Sequence, residues 1–213
     1  MLPIGQIDVL RATYILAALI VAVTVHEFSH ALAAYSLGDR TAKRLGRLTL
    51  NPARHLDPIG TIMMIWTSLG GFGLGWAKPV PVNPYNMRVD PKAGMAWTSL
   101  AGPASNLVVA ILVALLWRAA LDFDVSNRLW PMVLAQHIVF INVIIAIFNL
   151  IPIPPLDGFG VLMGILPRRS AAQLEPLERY GPFILLFVLF FGFGILGRIM
   201  STFATPIINL LLR

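Results

Sequence analysis

The chain has 213 residues, of which 57% are hydrophobic and 12% charged, and its mean hydropathy is +0.78. Soluble globular domains are about 45–50% apolar and about 25% charged, so this composition excludes a water-soluble fold or a disordered chain and indicates a membrane protein. The absence of cysteine excludes disulfides, thiol catalysis and cysteine-ligated metal. The net charge of +6 lies in short loops between apolar runs, which favours the positive-inside bias of a polytopic membrane protein over nucleic-acid binding.

The first half of the chain contains one clear membrane span. The apolar run from about 10 to 37 is long enough to cross a bilayer. A basic connector, 39–57, follows it, and the pattern within 41–50 predicts a small β element before a turn. Residues 59–75 are apolar but glycine-rich and short for a span. The proline-rich loop 76–84 is too broken for a helix or a central strand.

The second half of the chain is dominated by long apolar runs. Residues 93–121 predict a long helix with an early Gly-Pro interruption, and 132–151 predict another span. The last run, 183–212, contains Arg198 and Pro206 and is either one bent helix or a hairpin. We therefore predict one all-α polytopic membrane domain over residues 1–213, with about five to six transmembrane helices.

Three ionisable side chains lie within five consecutive residues of the first apolar run: His26, Glu27 and His30. Residues four apart stack on one face of a helix, so both imidazoles can reach a single metal ion. Glu27 is offset around the helix and can act on a water without being a ligand, as the general base of a zinc protease does. A charged group near the bilayer centre costs roughly 2.5–3.5 kcal/mol or more, so metal binding is favoured over a structural cluster.

A zinc site with an open position for water needs a third protein ligand, and several residues are candidates. His55 lies in the connector, where a loop histidine is usually solvated, and His137 lies in an apolar run, where packing between helices explains it. Asp157 follows a span in a proline-fixed turn closed by Gly158, a rigid setting suited to ligation. On spacing alone, a helix cap explains Asp157 equally well.

Three motifs together resemble the site-2 protease family of intramembrane zinc metalloproteases: His-Glu-x-x-His at 26–30, Ala-Gly-Pro-Ala-Ser-Asn at 101–106, and Asn-Leu-Ile-Pro-Ile-Pro-Pro-Leu-Asp-Gly at 149–158. The resemblance covers almost the whole chain. It implies that His26, His30 and Asp157 bind Zn²⁺ and that Glu27 activates water. It also implies that Asn149 helps to hold substrate or the developing oxyanion. The 213 residues leave no room for the PDZ or CBS domains of larger members, so we expect a small member of the family.

The metal site constrains the membrane topology. Because zinc–ligand bonds are only about 2.0–2.2 Å long, the ends of the first and fourth apolar runs must lie on the same side. A full crossing by residues 59–75 would separate them, so we predict that this segment is re-entrant and lines a protein cavity. His137 precedes Asp157 by up to roughly 30 Å of helix and is rejected as a ligand.

The loop charges agree with this topology. Lysine and arginine are concentrated in 39–57, 76–92 and 167–179, whereas 122–130 contains Asp122, Asp124 and only Arg128. We therefore expect the first three loops to be cytoplasmic, the amino terminus to lie outside, and the active site to open towards the cytoplasm.

The sequence thus predicts a multi-pass zinc metalloprotease of the cell membrane that cuts within or near transmembrane segments of protein or peptide substrates. The expected partners are the substrate and the lipid bilayer, not nucleic acid; assembly into a homo-oligomer stays open. The alternative is a divalent metal transporter or metal-binding membrane protein, which needs the three ligands but not Glu27 as a base. An inactive scaffold that holds a partner helix is a weaker hypothesis because every catalytic residue is present.

Overall fold

A computed structural model describes residues 8–71, 75–122 and 129–213 of the chain. Within these residues four helices are long and apolar enough to cross a membrane: Val9–Ser36, Pro91–Leu121, Trp130–Asn149 and Phe193–Leu211. The molecule is therefore a helical membrane protein.

The helices follow one another in chain order with short connections. Their bounds are α1 Val9–Ser36, α2 Thr41–Arg44, α3 Pro58–Ser68, α4 Pro91–Asp122, α5 Leu129–Asn149, α6 Asp157–Ile165, α7 Arg168–Leu174, α8 Gly181–Phe191, α9 Phe193–Ile199 and α10 Thr205–Leu211. A π-helical turn, Met200–Ala204, joins α9 to α10, and 3₁₀ turns lie at Pro52–Arg54, Pro84–Asn86 and Glu175–Tyr180.

The first span begins and ends at residues with clear local causes. Asp8 caps α1 by accepting a hydrogen bond from the backbone N–H of Arg11. The helix ends at Ser36, and Gly38 then adopts a φ of +114°, which an L side chain rarely adopts. Small buried residues on α1, Ala18 and Ala22, let it pack closely against Ile141 of α5.

The predicted β element near 41–50 is absent from the structure. Thr41–Arg44 instead forms the single helical turn α2, because the buried Asp39 carboxylate accepts hydrogen bonds from both the backbone N–H and the hydroxyl of Thr41. Gly46 then turns the chain with a φ of +68°. Strand-like pairing in the described residues is limited to one isolated antiparallel bridge, between Leu56 and Ala77.

The described residues hold four helices that are long and apolar enough to cross a membrane, against the expected five to six, and two features bear on the difference. The first is α3, whose 11 residues extend only about 16 Å, well short of a hydrocarbon core of about 30 Å. The Leu56–Ala77 bridge and the hydrogen bond from Lys78 N–H to the His55 carbonyl, 2.8 Å long, bring both ends of this segment together. The two ends of this segment therefore lie side by side.

The second feature is the carboxy-terminal run, α8 to α10, a bent candidate crossing that does not fold back on itself as a hairpin. Gly181 at its start lies against Pro154 and Pro155, next to the beginning of α6. Near its other end, the carbonyl of Leu210 accepts a hydrogen bond from Arg118, at the far end of α4. The bend falls at Gly192, between α8 and α9.

The three basic loops meet on one side of the molecule. Arg88 N–H donates to the Leu37 carbonyl over 2.8 Å, which brings the start of α4 back to the end of α1. Asp90 forms an ion pair with Arg168 over 2.9 Å, which adds the loop after α6 to the same side. In the structure these loops therefore lie close to one another. In the loop 122–130, which the sequence analysis contrasts with these basic loops, Asp124 and Arg128 lie outside the described residues, as does the side chain of Asp122.

Candidate metal centre

Two histidines of α1 face the start of α6. His26 and His30 are both buried, at 7% and 9% exposure, and their ring centroids are 4.6 Å apart. Their four-residue spacing places both rings on one face of the helix, as the sequence predicts. Each ring uses its Nδ1 for a hydrogen bond away from the other: His26 with Asn106 Oδ1 and His30 with the Thr98 carbonyl, both 2.7 Å long.

Asp157 is the first residue of α6 and completes the cluster. Its Oδ2 lies 2.9 Å from His26 Nε2, and its Oδ1 lies 3.4 Å from His30 Nε2. One donor atom from each of the three residues lies within 4.8 Å of the other two. The structure thus brings together two residues of the first span with one that lies more than a hundred positions later.

Helix α6 is held against α4 by small residues. A Cβ added at Gly160 would overlap the Ser99 side chain, and one added at Gly164 would overlap Ala96 Cβ. The two glycines are four residues apart and therefore lie on one face of α6, where they let the helix backbones approach closely. This packing sets the position of Asp157 at the amino-terminal end of the same helix.

Gly102 of α4 forms the wall behind both imidazoles. A Cβ at this position would lie 2.5 Å from His30 Nε2 and 2.7 Å from His26 Cε1. Contacts below 3.0 Å are not tolerated without movement of one partner, so a larger residue would displace the rings.

The donor atoms fit a divalent cation. Because the Thr98 carbonyl can only accept, His30 Nδ1 carries the proton and His30 Nε2 presents a lone pair. Asp157 Oδ2 is buried and has no hydrogen-bond partner, although His26 Nε2 lies nearby. Two imidazole nitrogens and a carboxylate oxygen converge here, and this set of donor atoms suits Zn²⁺.

Glu27 lies beside the cluster, about 100° around the helix from His26. Its Oε2 accepts a hydrogen bond of 3.1 Å from the backbone N–H of Val80 in the proline-rich loop. Arg47 anchors this loop by donating to the carbonyls of Lys78 and Pro79. The loop is therefore attached to the body of the protein through Glu27 at Val80 and through Arg47 at the two preceding residues.

The other candidate residues lie outside the ligand cluster. Asn149 donates through Nδ2 to the Ile145 carbonyl of its own helix, over 3.0 Å. His137 pairs its Nδ1 with the Val133 carbonyl of its own helix and lies outside this cluster. His55 is fully buried, not solvated as the sequence suggested, and its Nε2 donates to the Thr49 carbonyl over 2.7 Å.

Sequence reasoning missed the residues that orient the histidines. Asn106 and Asn142 are fully buried and hydrogen-bonded to each other, and Asn106 also contacts His26. A buried asparagine inside an apolar helix is costly unless it is paired, which is a signal that points to a function. Thr98 acts through its backbone carbonyl, a group that every residue has, so the residue type does not reveal this role.

Comparison with known proteins gives consistent matches. A family model described as Peptidase family M50 matches residues 124–192. The chain is 38% identical over 189 residues to "Putative zinc metalloprotease YwhC" of Bacillus subtilis, covering 83% of this chain and 80% of that protein. It is 34% and 33% identical to "Putative zinc metalloprotease Rip2" of Mycolicibacterium smegmatis and of Mycobacterium tuberculosis (strain H37Rv), covering 82% and 83% of this chain and 65% and 66% of those proteins. No solved structure matches the chain.

Proposed function

The chain belongs to peptidase family M50, the zinc-dependent site-2 protease family of metalloproteases, and from this membership we propose that it hydrolyses peptide bonds within or near transmembrane segments of membrane proteins. The observation that carries the proposal is the convergence of His26, His30 and Asp157 beside Glu27 inside an apolar helix. His30 and His26 lie six and ten residues before the end of α1, or about 9 and 15 Å along its axis. That depth supports a cleavage site below the membrane surface.

We assign zinc binding to His26, His30 and Asp157. The hydrogen bond of each Nδ1 leaves the Nε2 atom to face a metal ion, and the buried Asp157 Oδ2 lies 2.9 Å from His26 Nε2. When bound, zinc supplies Lewis-acid polarisation of the scissile carbonyl and lowers the pKa of water. Exclusion of bulk water by the surrounding helices strengthens the electrostatic interactions within the site.

Glu27 acts as the general base in this proposal. Its carboxylate takes a proton from the attacking water and passes it to the leaving amine. The Val80 N–H holds one carboxylate oxygen, Oε2. The second oxygen remains available to accept a proton from the water, so the proline-rich loop orients the carboxylate without blocking its role as a base.

Asn149 is proposed to contact the substrate. Its amide uses one proton for the Ile145 carbonyl, so a second proton and Oδ1 stay available. We expect Asn149→Ala to impair cleavage while zinc remains bound, because the residue lies outside the ligand cluster. Loss of zinc from this variant would contradict the assignment and indicate a structural role.

The test of the function is cleavage of a panel of single-span membrane substrates by purified wild type, Glu27→Gln and the exposed-site control Glu178→Gln. Bound zinc is measured in all three. We expect Glu27→Gln to retain zinc and lose cleavage. The control should bind zinc and cleave substrate as the wild type does. Undiminished cleavage by Glu27→Gln would refute the assigned chemistry. Zinc binding without cleavage by any of the proteins, together with zinc flux across vesicles, would support the transporter alternative.

The multi-pass topology and re-entrant segment are part of the same proposal. Single cysteines at Lys43, Arg88 and Leu121 can be labelled with an impermeant reagent, because the natural chain has no cysteine. We expect Lys43 and Arg88 to react from the cytoplasmic side of the cell membrane and Leu121 from the other. Opposite accessibility of Lys43 and Arg88 would refute the topology.

A further inference from the structure

We propose that Asn106, oriented by Asn142, is a positioning residue that fixes His26 in the tautomer that presents Nε2 to zinc. This inference rests on the proposed zinc site. It concerns two residues of α4 and α5 that are fully buried and that reach the metal ligands through the Nδ1 of His26.

The orientation of the Asn106 amide follows from its neighbours. One group of this amide lies 3.0 Å from the Ala22 carbonyl and 2.7 Å from Asn142 Oδ1. The Ala22 carbonyl can only accept, so this group is the Nδ2 donor. Oδ1 must then be the group that lies 2.7 Å from His26 Nδ1. An acceptor in that place requires a proton on Nδ1 and leaves the lone pair on Nε2.

Asn142 removes the remaining freedom. Its own Nδ2 donates to the Ile138 carbonyl over 2.8 Å. This carbonyl, like that of Ala22, can only accept. The Oδ1 of Asn142 therefore faces Asn106 and cannot exchange places with a donor. The chain of bonds runs from a backbone carbonyl of α5 through two side chains to the ring of His26, and each step allows one orientation.

The two histidines are oriented by different means. His30 donates to the Thr98 backbone carbonyl, which no substitution removes. His26 depends on a side chain, since its Nδ1 pairs with the Oδ1 atom of Asn106. In an apolar interior a lost acceptor is not replaced by water, so the ring of His26 would lose its preferred tautomer and orientation.

The experiment compares Asn106→Leu, Asn142→Leu and the double variant with wild type. Thr24→Val is the matched control, since Thr24 is a buried polar residue of α1 without a part in this chain of bonds. Three quantities are measured in detergent: zinc affinity by competition with a chelator, the free energy of unfolding, and the visible absorption of the Co²⁺-substituted protein.

We expect Asn106→Leu to weaken zinc binding by about 10–100-fold and to change the Co²⁺ spectrum. Asn142→Leu should give a smaller loss of affinity and can be measured even if Asn106→Leu does not fold. In the double variant the unpaired Asn142 oxygen is gone, so stability should recover relative to Asn106→Leu while zinc affinity stays low. The Thr24→Val control should keep both the zinc affinity and the Co²⁺ spectrum of the wild type.

Two results would overturn the inference alone: wild-type zinc affinity in the Asn106 or Asn142 variant, or recovery of affinity together with stability in the double variant. Either result would leave the pair with a structural role. Failure of the wild type to bind zinc would instead overturn the proposed function, and this inference with it.

Discussion

The helices around the metal centre and the carboxy-terminal crossing are both apolar, yet they are packed by different means. Around the centre, α1, α4, α5 and α6 meet through glycine, alanine and paired asparagines. In the crossing from Gly181 to Leu211, large side chains such as Phe187 and Phe191 are exposed, at 63% and 78%. Lipid solvates apolar side chains as well as a protein core does, so hydrophobicity alone does not position a helix in a bilayer.

Close contact and hydrogen bonds therefore define the position of the site, whereas the crossing tolerates variation. The same type of residue shows the difference. Gly102 has no room for a methyl group beside the two imidazoles, but a Cβ at Gly194 or Gly197 would meet nothing within 4 Å. Substitutions that add or remove one methyl group can test this contrast.

The largest expected effect is that of Gly102→Ala. The added methyl group would displace the rings of His26 and His30, so we expect loss of bound zinc and of cleavage. Gly197→Ala, the matched control in α9, should retain both and leave the unfolding free energy equal or higher by up to about 1 kcal/mol. Normal zinc content in Gly102→Ala would show that the structure around the two imidazoles accommodates the methyl group. It would remove the contrast between the metal centre and the carboxy-terminal run.

A smaller effect is expected where α6 packs on α4. Gly164→Ala should destabilise the protein by about 1–3 kcal/mol, because the new methyl group overlaps Ala96. Ala96→Gly in the same chain should restore part of the lost stability, as measured by unfolding in detergent. If the double variant is no more stable than Gly164→Ala, the two residues are not coupled and the close contact does not hold α6 in place.

The smallest effect concerns acid stability at the connector. Burial opposes ionisation of Asp39, but hydrogen bonds from Thr41, Asn83 and Asn86 outweigh it and hold the pKa of this carboxyl below its ordinary value of 3.8. The folded pKa is the lower one, so the stabilisation is present above about pH 4 and is lost as the pH falls through the folded pKa.

Asp39→Asn should therefore lower stability at neutral pH and flatten its decline in acid, in unfolding measurements between pH 3 and pH 7 in roughly unit steps. The carboxy-terminal crossing has no acidic residue and contributes nothing to this decline. An unchanged acid profile in Asp39→Asn would contradict the role given to the Asp39 hydrogen bonds.

Much of the centre could be predicted because its residues are close in sequence or chemically rare. The spacing of His26 and His30 places both rings on one helical face whatever the rest of the fold does. Zinc–ligand bonds are short, so Asp157 had to lie on the same side of the molecule as His26 and His30. Both arguments depend on local geometry, and the structure agrees with them.

The parts that could not be predicted depend on contacts between distant residues. The residues near 41–50 form a helical turn because Asp39 caps it, a local hydrogen bond that outweighed the strand-like pattern. Hydropathy could not tell whether 183–212 crosses once or twice, since that depends on where Leu210 lies relative to Arg118. The orientation of His26 by Asn106 likewise joins residues 80 positions apart.

The central claim is tested most directly by measuring bound zinc in purified wild type, Asp157→Ala and Asp90→Ala. Asp90 is also an aspartate but is paired with Arg168 outside the ligand cluster, and it serves as the control. We predict about one zinc ion per chain in the wild type and in Asp90→Ala, and little in Asp157→Ala, because a zinc site of this type needs three protein ligands. Full zinc content in Asp157→Ala would contradict the account, since the metal would then be held elsewhere.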